Sequence, residues 1–196
     1  DYMVGVGAMR TYVSQGNAKQ VKYIFRPTIQ LGYRFNNYLS IRYKAYMGGY
    51  APSLAELSDV EQHIDIYQIR RGNPNLQAVR FFSNELSISV GTKYISAEWF
   101  TRYSYDDKPY MEETTYSNGF YVRSYANQRG FHRLNSQINL KVQPWKDYMS
   151  IQLTPFVNRY ISNGNTYTHT HTNWGLRANL MGMYKNWYVG ANLETS

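Results

Sequence analysis

Apolar and polar residues alternate along the stretch that decides the fold, which reads Leu134-Asn135-Ser136-Gln137-Ile138-Asn139-Leu140-Lys141-Val142-Gln143. Aliphatic side chains hold one set of alternate positions, apart from Ser136, and amides and a lysine hold the other. Successive side chains of a β-strand point to opposite faces of its sheet. A period of two therefore predicts a strand with one apolar and one polar face.

The same alternation recurs in eight more segments of the chain. They are residues 2–13, 23–35, 39–47, 85–91, 95–104, 149–154, 173–180 and 187–194. No segment shows a convincing helical period of 3.6 residues, so the sequence predicts an all-β antiparallel fold of about nine strands. Many of these strands are longer than the usual 5 or 6 residues, and a tilted transmembrane strand needs roughly 9 to 11.

The connections between the predicted strands alternate in length. Tight turns are expected near residues 36–37, 93–94, 145–147 and 185–186, and long loops near 14–20, 48–82, 106–130 and 161–171. Outer-membrane β-barrels have this layout, with short periplasmic turns and longer extracellular loops. We therefore predict that residues 1–196 form part of one barrel. Both ends look cut, so we expect a piece of a longer chain.

Composition excludes several other classes of protein. The 196 residues include 21 tyrosines, no cysteine and 17% charged residues, and the mean hydropathy is −0.58. No apolar run approaches the 18 or so residues of a transmembrane helix, and aromatic residues are too plentiful for disorder. The lack of cysteine excludes a disulfide framework and cysteine-based zinc sites. A formal charge of +8 is compatible with nucleic acid, an anionic membrane or an acidic ligand.

The chemistry of the two faces favours a membrane over water. The polar faces are rich in Ser, Thr, Asn, Gln and Gly, as the lumen of a barrel is. Aromatic rings cluster beside the predicted turns at Tyr33, Phe35, Tyr38, Tyr94, Trp145, Tyr148, Tyr184, Trp187 and Tyr188. Amphipathic rings prefer the level of the lipid headgroups. The alternative is a soluble β-sandwich that uses its tyrosines to stack on sugars.

The predicted loop after the third strand carries two specific segments. The first reads Gly49-Tyr50-Ala51-Pro52-Ser53-Leu54-Ala55-Glu56-Leu57-Ser58, and the second reads Gly72-Asn73-Pro74-Asn75-Leu76 ahead of a strand beginning Asn84-Glu85-Leu86. This order resembles the barrel of TonB-dependent receptors, particularly the outer-membrane β-barrel family with a carboxypeptidase-regulatory-like domain ahead of the plug. That family usually has Pro-Glu after the last Leu, where Gln77-Ala78 stands here.

The resemblance implies a C-terminal portion of a barrel of about 22 strands. It implies partners as well: outer-membrane lipids, TonB through an upstream coupling segment, and in some cases a surface lipoprotein. Such receptors take up scarce ligands such as siderophores, cobalamin, glycans or peptides, and the resemblance places the protein in the bacterial outer membrane. A passive, porin-like barrel without a plug is the second alternative.

Seven residues are candidates for ligand binding. Arg42, Lys44, Arg102 and Arg177 fall on polar faces, and Arg70, Arg71 and Asn73 lie in the long loop. The lumenal cations could form a track for an anionic ligand or a seat for the plug, or could simply be hydrated and paired with Glu85 and Glu98. The loop could pack on the barrel rim as a structural fold-back, or could contact the ligand as a lid.

Catalysis, metal binding and cofactors are not predicted. Neither Gly-x-Ser-x-Gly nor His-Glu-x-x-His occurs. His169 and His171 share a strand face and could reach one ion, but no third ligand is near them in sequence, and a solvated loop is the expected alternative. Nucleic-acid binding is not expected, because the aromatic residues mostly avoid the basic face.

Overall fold

The computed structural model describes residues 1–15, 18–145 and 148–195. Its strands are β1 (Tyr2–Gln15), β2 (Ala18–Arg34), β3 (Leu39–Tyr50), β4 (Gln62–His63), β5 (Gln68–Arg70), β6 (Val79–Gly91), β7 (Ile95–Asp107), β8 (Tyr110–Ser117), β9 (Phe120–Asn127), β10 (Gly130–Val142), β11 (Met149–Asn163), β12 (Thr168–Tyr184) and β13 (Trp187–Thr195). One helical turn, α1 (Leu54–Leu57), follows β3. No helix in the described residues has the length and apolar character needed to traverse a bilayer.

Nine strands form one antiparallel sheet in the order β1-β2-β3-β6-β7-β10-β11-β12-β13. Every neighbouring pair is antiparallel. The predicted all-β antiparallel fold is confirmed. Each long alternating segment pairs with the next one along the chain. Because pairing keeps all apolar side chains on one face, the alternation accounts for this sheet.

The two ends of the nine-stranded sheet differ in their connections. At the turn end, strands are joined across residues 35–38, 92–94, 143–148 and 185–186. Lys146 and Asp147, in the third predicted turn, lie outside the described residues. At the loop end, two connections are long, residues 51–78 and 108–129, and the other two are short.

Two of the predicted long loops are mostly strand. β1 continues to Gln15 and β2 begins at Ala18, so only Gly16 and Asn17, which lie outside the described residues, separate them. β11 likewise runs to Asn163 and β12 begins at Thr168. The loops predicted at 14–20 and 161–171 are therefore too long. Residues 168–172, which begin β12, are all polar (Thr-His-Thr-His-Thr), so the strand begins there without an alternating pattern to reveal it.

The apolar face of the large sheet is uncovered. Ile138 is 42% exposed, Trp174 75% and Trp187 77%. In a soluble sandwich this face would pack against a second sheet. Within the described residues the second sheet does not cover it, because that sheet is small and is built from the loop-end connections.

A small four-stranded sheet forms within the long connections, in the order β4-β5-β9-β8. β8 and β9 form a hairpin whose turn residues Asn118 and Gly119 both have positive φ, as a type I′ hairpin turn requires. β5 pairs with β9 in parallel and places the buried Ile69 opposite the buried Val122. The loop after β3 is thus joined to the hairpin after β7.

Candidate functional site

A basic patch lies on the polar face where β3, β6 and β7 are neighbours, and consists of Arg42, Lys44, Glu85 and Arg102. Lys44 lies opposite Glu85, and Glu85 lies opposite Arg102. Arg102 Nε is 2.8 Å from Glu85 Oε1, and the Tyr46 hydroxyl donates to the same oxygen at 3.2 Å. Since opposite side chains on paired strands are in contact, one carboxylate ties a row of three strands together.

Two cations of the basic patch, Arg42 and Lys44, have no ion pair among the described residues. They line a cavity of about 150 Å³ with Gln30, Glu85, Ser87, Glu98 and Phe100. Ser87 donates to Glu98 at 2.6 Å, and Lys44 Nζ lies 4.9 Å from the centre of the Tyr46 ring. Glu85 is paired with Arg102, so two unpaired cations and one unpaired carboxylate, Glu98, remain among the described residues of this cavity. The excess of positive charge favours an anionic group as the ligand.

Arg177 lies apart from the basic patch, on β12. Its Nε is 3.0 Å from Glu194 on β13, and its guanidinium lies 4.4 Å from the centre of the Phe156 ring. Two strands, β10 and β11, lie between β7, which carries Arg102, and β12, which carries Arg177. The structure therefore does not bring Arg177 together with Arg42, Lys44 and Arg102.

A further ion pair on the polar face was missed by the sequence reasoning. Arg133 Nη2 lies 2.8 and 3.0 Å from the two carboxylate oxygens of Asp106, which is 6% exposed. Arg133 also lies 5.5 Å from the Phe131 ring, as Arg102 lies 5.4 Å from Phe100. The pattern aromatic-x-Arg, which places both side chains on one face of a strand, could have pointed to Arg133 but not to its partner Asp106.

The three loop candidates make structural contacts. Arg70 Nη2 donates to the Tyr125 hydroxyl at 2.8 Å, and Asn73 Nδ2 donates to the Tyr125 carbonyl at 2.8 Å. The Arg71 backbone N–H donates to the carbonyl of Arg123 at 3.0 Å, while its side chain pairs with the exposed Glu61 at 3.4 Å. All three residues thus fasten the loop, either to the β8–β9 hairpin or within itself, as the fold-back alternative expects.

The loop motif needs a glycine at position 72 because other backbone segments pack closely against it. Its N–H donates to the Ser58 carbonyl at 2.6 Å, and the N–H of Asn73 donates to the Glu56 carbonyl at 2.7 Å. A Cβ at Gly72 would lie 2.5 Å from the Glu56 oxygen and 2.6 Å from that of Ser58. These are backbone atoms, so any larger residue would force the two segments apart.

Glu56 also connects α1 to the hairpin. Its carboxylate accepts a hydrogen bond from the Ser53 N–H at 2.6 Å and one from the Tyr110 hydroxyl. Burial, followed by the negative charge of Glu56, raises the pKa of Tyr110 above its ordinary value. The phenol therefore stays a proton donor to Glu56 under all ordinary conditions.

Asn127 and Gln128 join three connections at the loop end, a role that the sequence did not reveal. Asn127 Nδ2 donates to the Lys108 carbonyl at 2.7 Å, and its Oδ1 accepts from the Gln77 N–H at 2.8 Å. Gln128 Oε1 accepts from the Asn165 N–H at 2.9 Å. Hydrogen bonds thus join the connections after β3, β7 and β11 at the loop end, and we call these joined connections the cap.

The two histidines of the predicted metal alternative lie on β12, not in a loop. His171 stacks on Tyr160, with ring centres 6.4 Å apart, and His169 lies 6.4 Å from the Tyr167 ring. No group of three metal-ligating side chains occurs among the described residues.

Comparison with known proteins identifies the family. The model of the outer membrane protein beta-barrel family matches residues 10–195. The chain belongs to this family. No curated protein matches the chain. Among solved structures, the siderophore receptor PirA from Pseudomonas aeruginosa matches with a TM-score of 0.59 and 11% identity. The match covers 98% of this chain and 45% of the receptor chain.

Membership of the outer membrane β-barrel family explains the uncovered apolar face. The barrel lies in the bacterial outer membrane, where lipid contacts that face and the polar face lines the lumen. The lipid-facing Trp99 donates its indole N–H to Ser136 at 3.0 Å, so this donor is not left unpaired among the lipid chains. The family assignment confirms the resemblance inferred from the loop motif, and a soluble sandwich is excluded.

In the barrel, the seven candidates separate into three places. Arg42, Lys44 and Arg102 share the lumenal basic patch, Arg177 occupies another part of the lumen, and Arg70, Arg71 and Asn73 belong to the cap at the loop end. Of the lumenal candidates, Arg42 and Lys44 line one cavity, and Arg102 adjoins it through Glu85.

Proposed function

We propose that this chain is part of a TonB-dependent outer-membrane receptor that takes up a scarce ligand without catalysis. The observation that carries the proposal is the fold match along 98% of this chain to a siderophore receptor of which it covers 45%. A siderophore is therefore the first candidate ligand, with cobalamin, a glycan or a peptide as the others.

The geometry of the lumen supports a receptor. Arg102, Arg133 and Arg177 are each paired with a carboxylate, while Arg42 and Lys44 leave positive charge in one small cavity. Two unpaired cations in one cavity suit a contact with a plug segment or an anionic ligand group.

The loop end is proposed to face the cell exterior and the turn end the periplasm, as in other barrels of this kind. The cap formed by the connections after β3, β7 and β11 would then lie where the ligand or a surface lipoprotein approaches. TonB would act from the periplasmic side, through a coupling segment and plug encoded upstream of these strands.

Uptake in cells that carry or lack the full-length gene tests this proposal. Accumulation of ⁵⁵Fe-siderophores, ⁵⁷Co-cobalamin, labelled oligosaccharides and labelled peptides would be measured with and without TonB and with and without a protonophore. We expect one ligand class to require the gene, TonB and the proton gradient together. A control strain would carry a Gln143→Ala variant, which changes the turn end outside the basic patch.

Two results would contradict the proposal. Gene-dependent entry of many small solutes that persists without TonB would indicate a passive porin. A complete coding sequence with no plug domain ahead of these strands would likewise exclude a receptor.

A further inference from the structure

One edge of the small sheet is unpaired. β8 is the last strand in the order β4-β5-β9-β8, and its residues from Met111 to Ser117 are exposed. An unpaired strand edge presents a row of backbone N–H and C=O groups that can pair with another extended chain.

The register shows which backbone groups of β8 point to this free edge. On β9, the Tyr121 N–H donates to Tyr67, and the Arg123 carbonyl accepts from Arg71, so both residues point away from β8. Tyr116 and Thr114 lie directly opposite them. In an antiparallel pair, residues opposite each other point their backbone groups either both inward or both outward. The backbone groups of Thr114 and Tyr116 therefore point outward, and no backbone partner for them is found in the described residues.

A groove of about 440 Å³ runs beside this edge. Residues 111–115 of β8 form one wall. The ends of β11 and β12 and their connection form the other, with Ser162, Gly164, Asn165, Thr166, Tyr167 and His169, and Gln128 also lines the groove. Five strand residues span about 14 Å between their first and last Cα atoms. The groove is thus long enough for a short extended segment lying parallel or antiparallel to β8.

The groove carries negative charge. Glu113 accepts a hydrogen bond from the neutral amide of Gln128 at 2.6 Å and has no ion pair among the described residues. Glu112 is paired with Arg123. One uncompensated carboxylate therefore faces a groove that otherwise offers hydroxyl, amide and imidazole groups.

We infer that the β8 edge is a binding site for an extended peptide segment bearing lysine or arginine. The backbone of the segment adds a fifth strand to the small sheet, outside β8, and its cationic side chain pairs with Glu113. Strand addition of this kind takes its affinity from main-chain hydrogen bonds and its selectivity from side-chain pockets. The site does not depend on coupling to TonB, so the result of its test is separate from that of the uptake experiment.

Fluorescence anisotropy on the full-length protein in nanodiscs tests the site. The probe is a fluorescein-labelled eight-residue peptide that alternates lysine with valine and threonine. One control peptide carries an N-methyl group on every backbone amide, which prevents strand pairing along both of its edges, and another has glutamate in place of lysine. We expect each control to bind at least about tenfold more weakly.

Matched variants of β8 separate backbone pairing from side-chain contact. Thr114→Pro removes an outward N–H while leaving the bonds to β9, because proline is tolerated at such edge positions. It is expected to weaken binding by about tenfold, whereas Thr114→Val keeps the N–H and binds as the parent does. Glu113→Gln is expected to weaken the lysine peptide severalfold at low salt, with little effect at 0.5 M salt. Asp59→Asn, outside the groove, leaves binding unchanged.

Hydrogen exchange supplies a readout that does not depend on affinity. Bound peptide should slow exchange in the segment 110–117. Three results would overturn the inference. The N-methylated peptide could bind equally well, exchange in this segment could stay unchanged, or the peptide could fail to bind because another part of the full chain covers the edge. Binding of an oligosaccharide in place of the peptide would overturn it as well.

Discussion

Asn73 donates a side-chain hydrogen bond to the backbone carbonyl of Tyr125 at 2.8 Å, across 52 positions of sequence. The same side chain accepts a hydrogen bond from the N–H of Asn75 at 2.9 Å. One amide therefore shapes the turn at Pro74 and holds that turn against the β8–β9 hairpin. This contact fixes the Gly-Asn-Pro-x-Leu motif against the hairpin just before β6 begins at Val79.

Asn73→Ala is expected to loosen the loop from the hairpin. Loss of a part-buried hydrogen bond costs about 1 kcal/mol, and the Tyr125 carbonyl left without its partner adds to that cost. Hydrogen exchange in segment 66–76 should accelerate by roughly 5- to 30-fold. Asn75→Ala is the matched control, because it keeps the backbone N–H that Asn73 accepts. Equal exchange in both variants would show that the Asn73 side chain does not hold the loop.

Gly72→Ala is expected to separate the loop from α1, since the new Cβ would lie 2.5 Å from the Glu56 carbonyl oxygen. Overpacking of this kind typically costs about 1–3 kcal/mol. Limited proteolysis should cut segment 52–60 faster than in the parent protein. Gly5→Ala, where the nearest atom to the new Cβ lies 4.0 Å away, should leave the cleavage rate unchanged. A resistant Gly72→Ala loop would contradict the close approach seen here.

Glu85→Gln is expected to destabilise the lumen by leaving Arg102 without its carboxylate. The pair is 2.8 Å apart, and the Glu85 side chain is 17% exposed while that of Arg102 is 43% exposed. Because one partner is well exposed, we expect a coupling free energy of about 1 kcal/mol, well below that of a fully buried pair. A double-mutant cycle with Arg102→Gln, followed by denaturation in detergent, measures it.

Arg42→Gln serves as the control for that cycle, because Arg42 has no ion pair within the described part of the chain. Its effect on the free energy of unfolding should stay near the ±0.5 kcal/mol or so of ordinary surface changes. A coupling energy of zero for Glu85 and Arg102 would show that solvent screens the pair.

Ile138→Arg and Gln137→Arg test which face of β10 contacts lipid. An arginine on the lipid face at mid-bilayer costs about 2–4 kcal/mol, whereas a lumenal arginine is hydrated. Unfolding in phospholipid vesicles should therefore show Ile138→Arg to be the less stable variant by at least about 2 kcal/mol. The reverse order of stabilities would invert the assignment of the two faces.

Alkaline pH is expected to loosen the cap through Tyr110. The folded state raises the pKa of this phenol above its ordinary value of 10.0, so the folded chain holds the proton more tightly than the unfolded chain. The stabilisation is complete below pH 10.0 and is lost as the pH rises further.

Proteolysis of the cap should therefore accelerate progressively as the pH rises above about 10, where the tyrosines of an unfolded chain ionise. Tyr110→Phe should flatten this rise, and the control Tyr116→Phe, at a ring that is 69% exposed, should not. An unchanged pH profile in Tyr110→Phe would remove Tyr110 as the cause.

The periodicity of the sequence predicted most of the nine-stranded sheet, because each strand such as β10 must separate lipid-facing from lumen-facing side chains. The periodicity also led to two predicted loops that are too long, because a strand without alternation is not recognised. Where β11 and β12 extend with polar residues on both faces, as at Thr168 to Thr172, no alternation marks the strand. The small sheet was missed because β4 and β5 are only two and three residues long and because β8 and β9 lie within the long loop predicted near 106–130.

The sequence by itself determined the antiparallel all-β fold, the two faces of the sheet and, through the loop motif, the family. Those features depend on local spacing and on residue types, which a linear chain displays. Only the tertiary structure decided which lumenal cations are paired and that Asn73 meets Tyr125. It also decided that β8 ends the small sheet with an open edge. These relationships arise from strand register and from contacts across tens of residues, and no local pattern encodes either one.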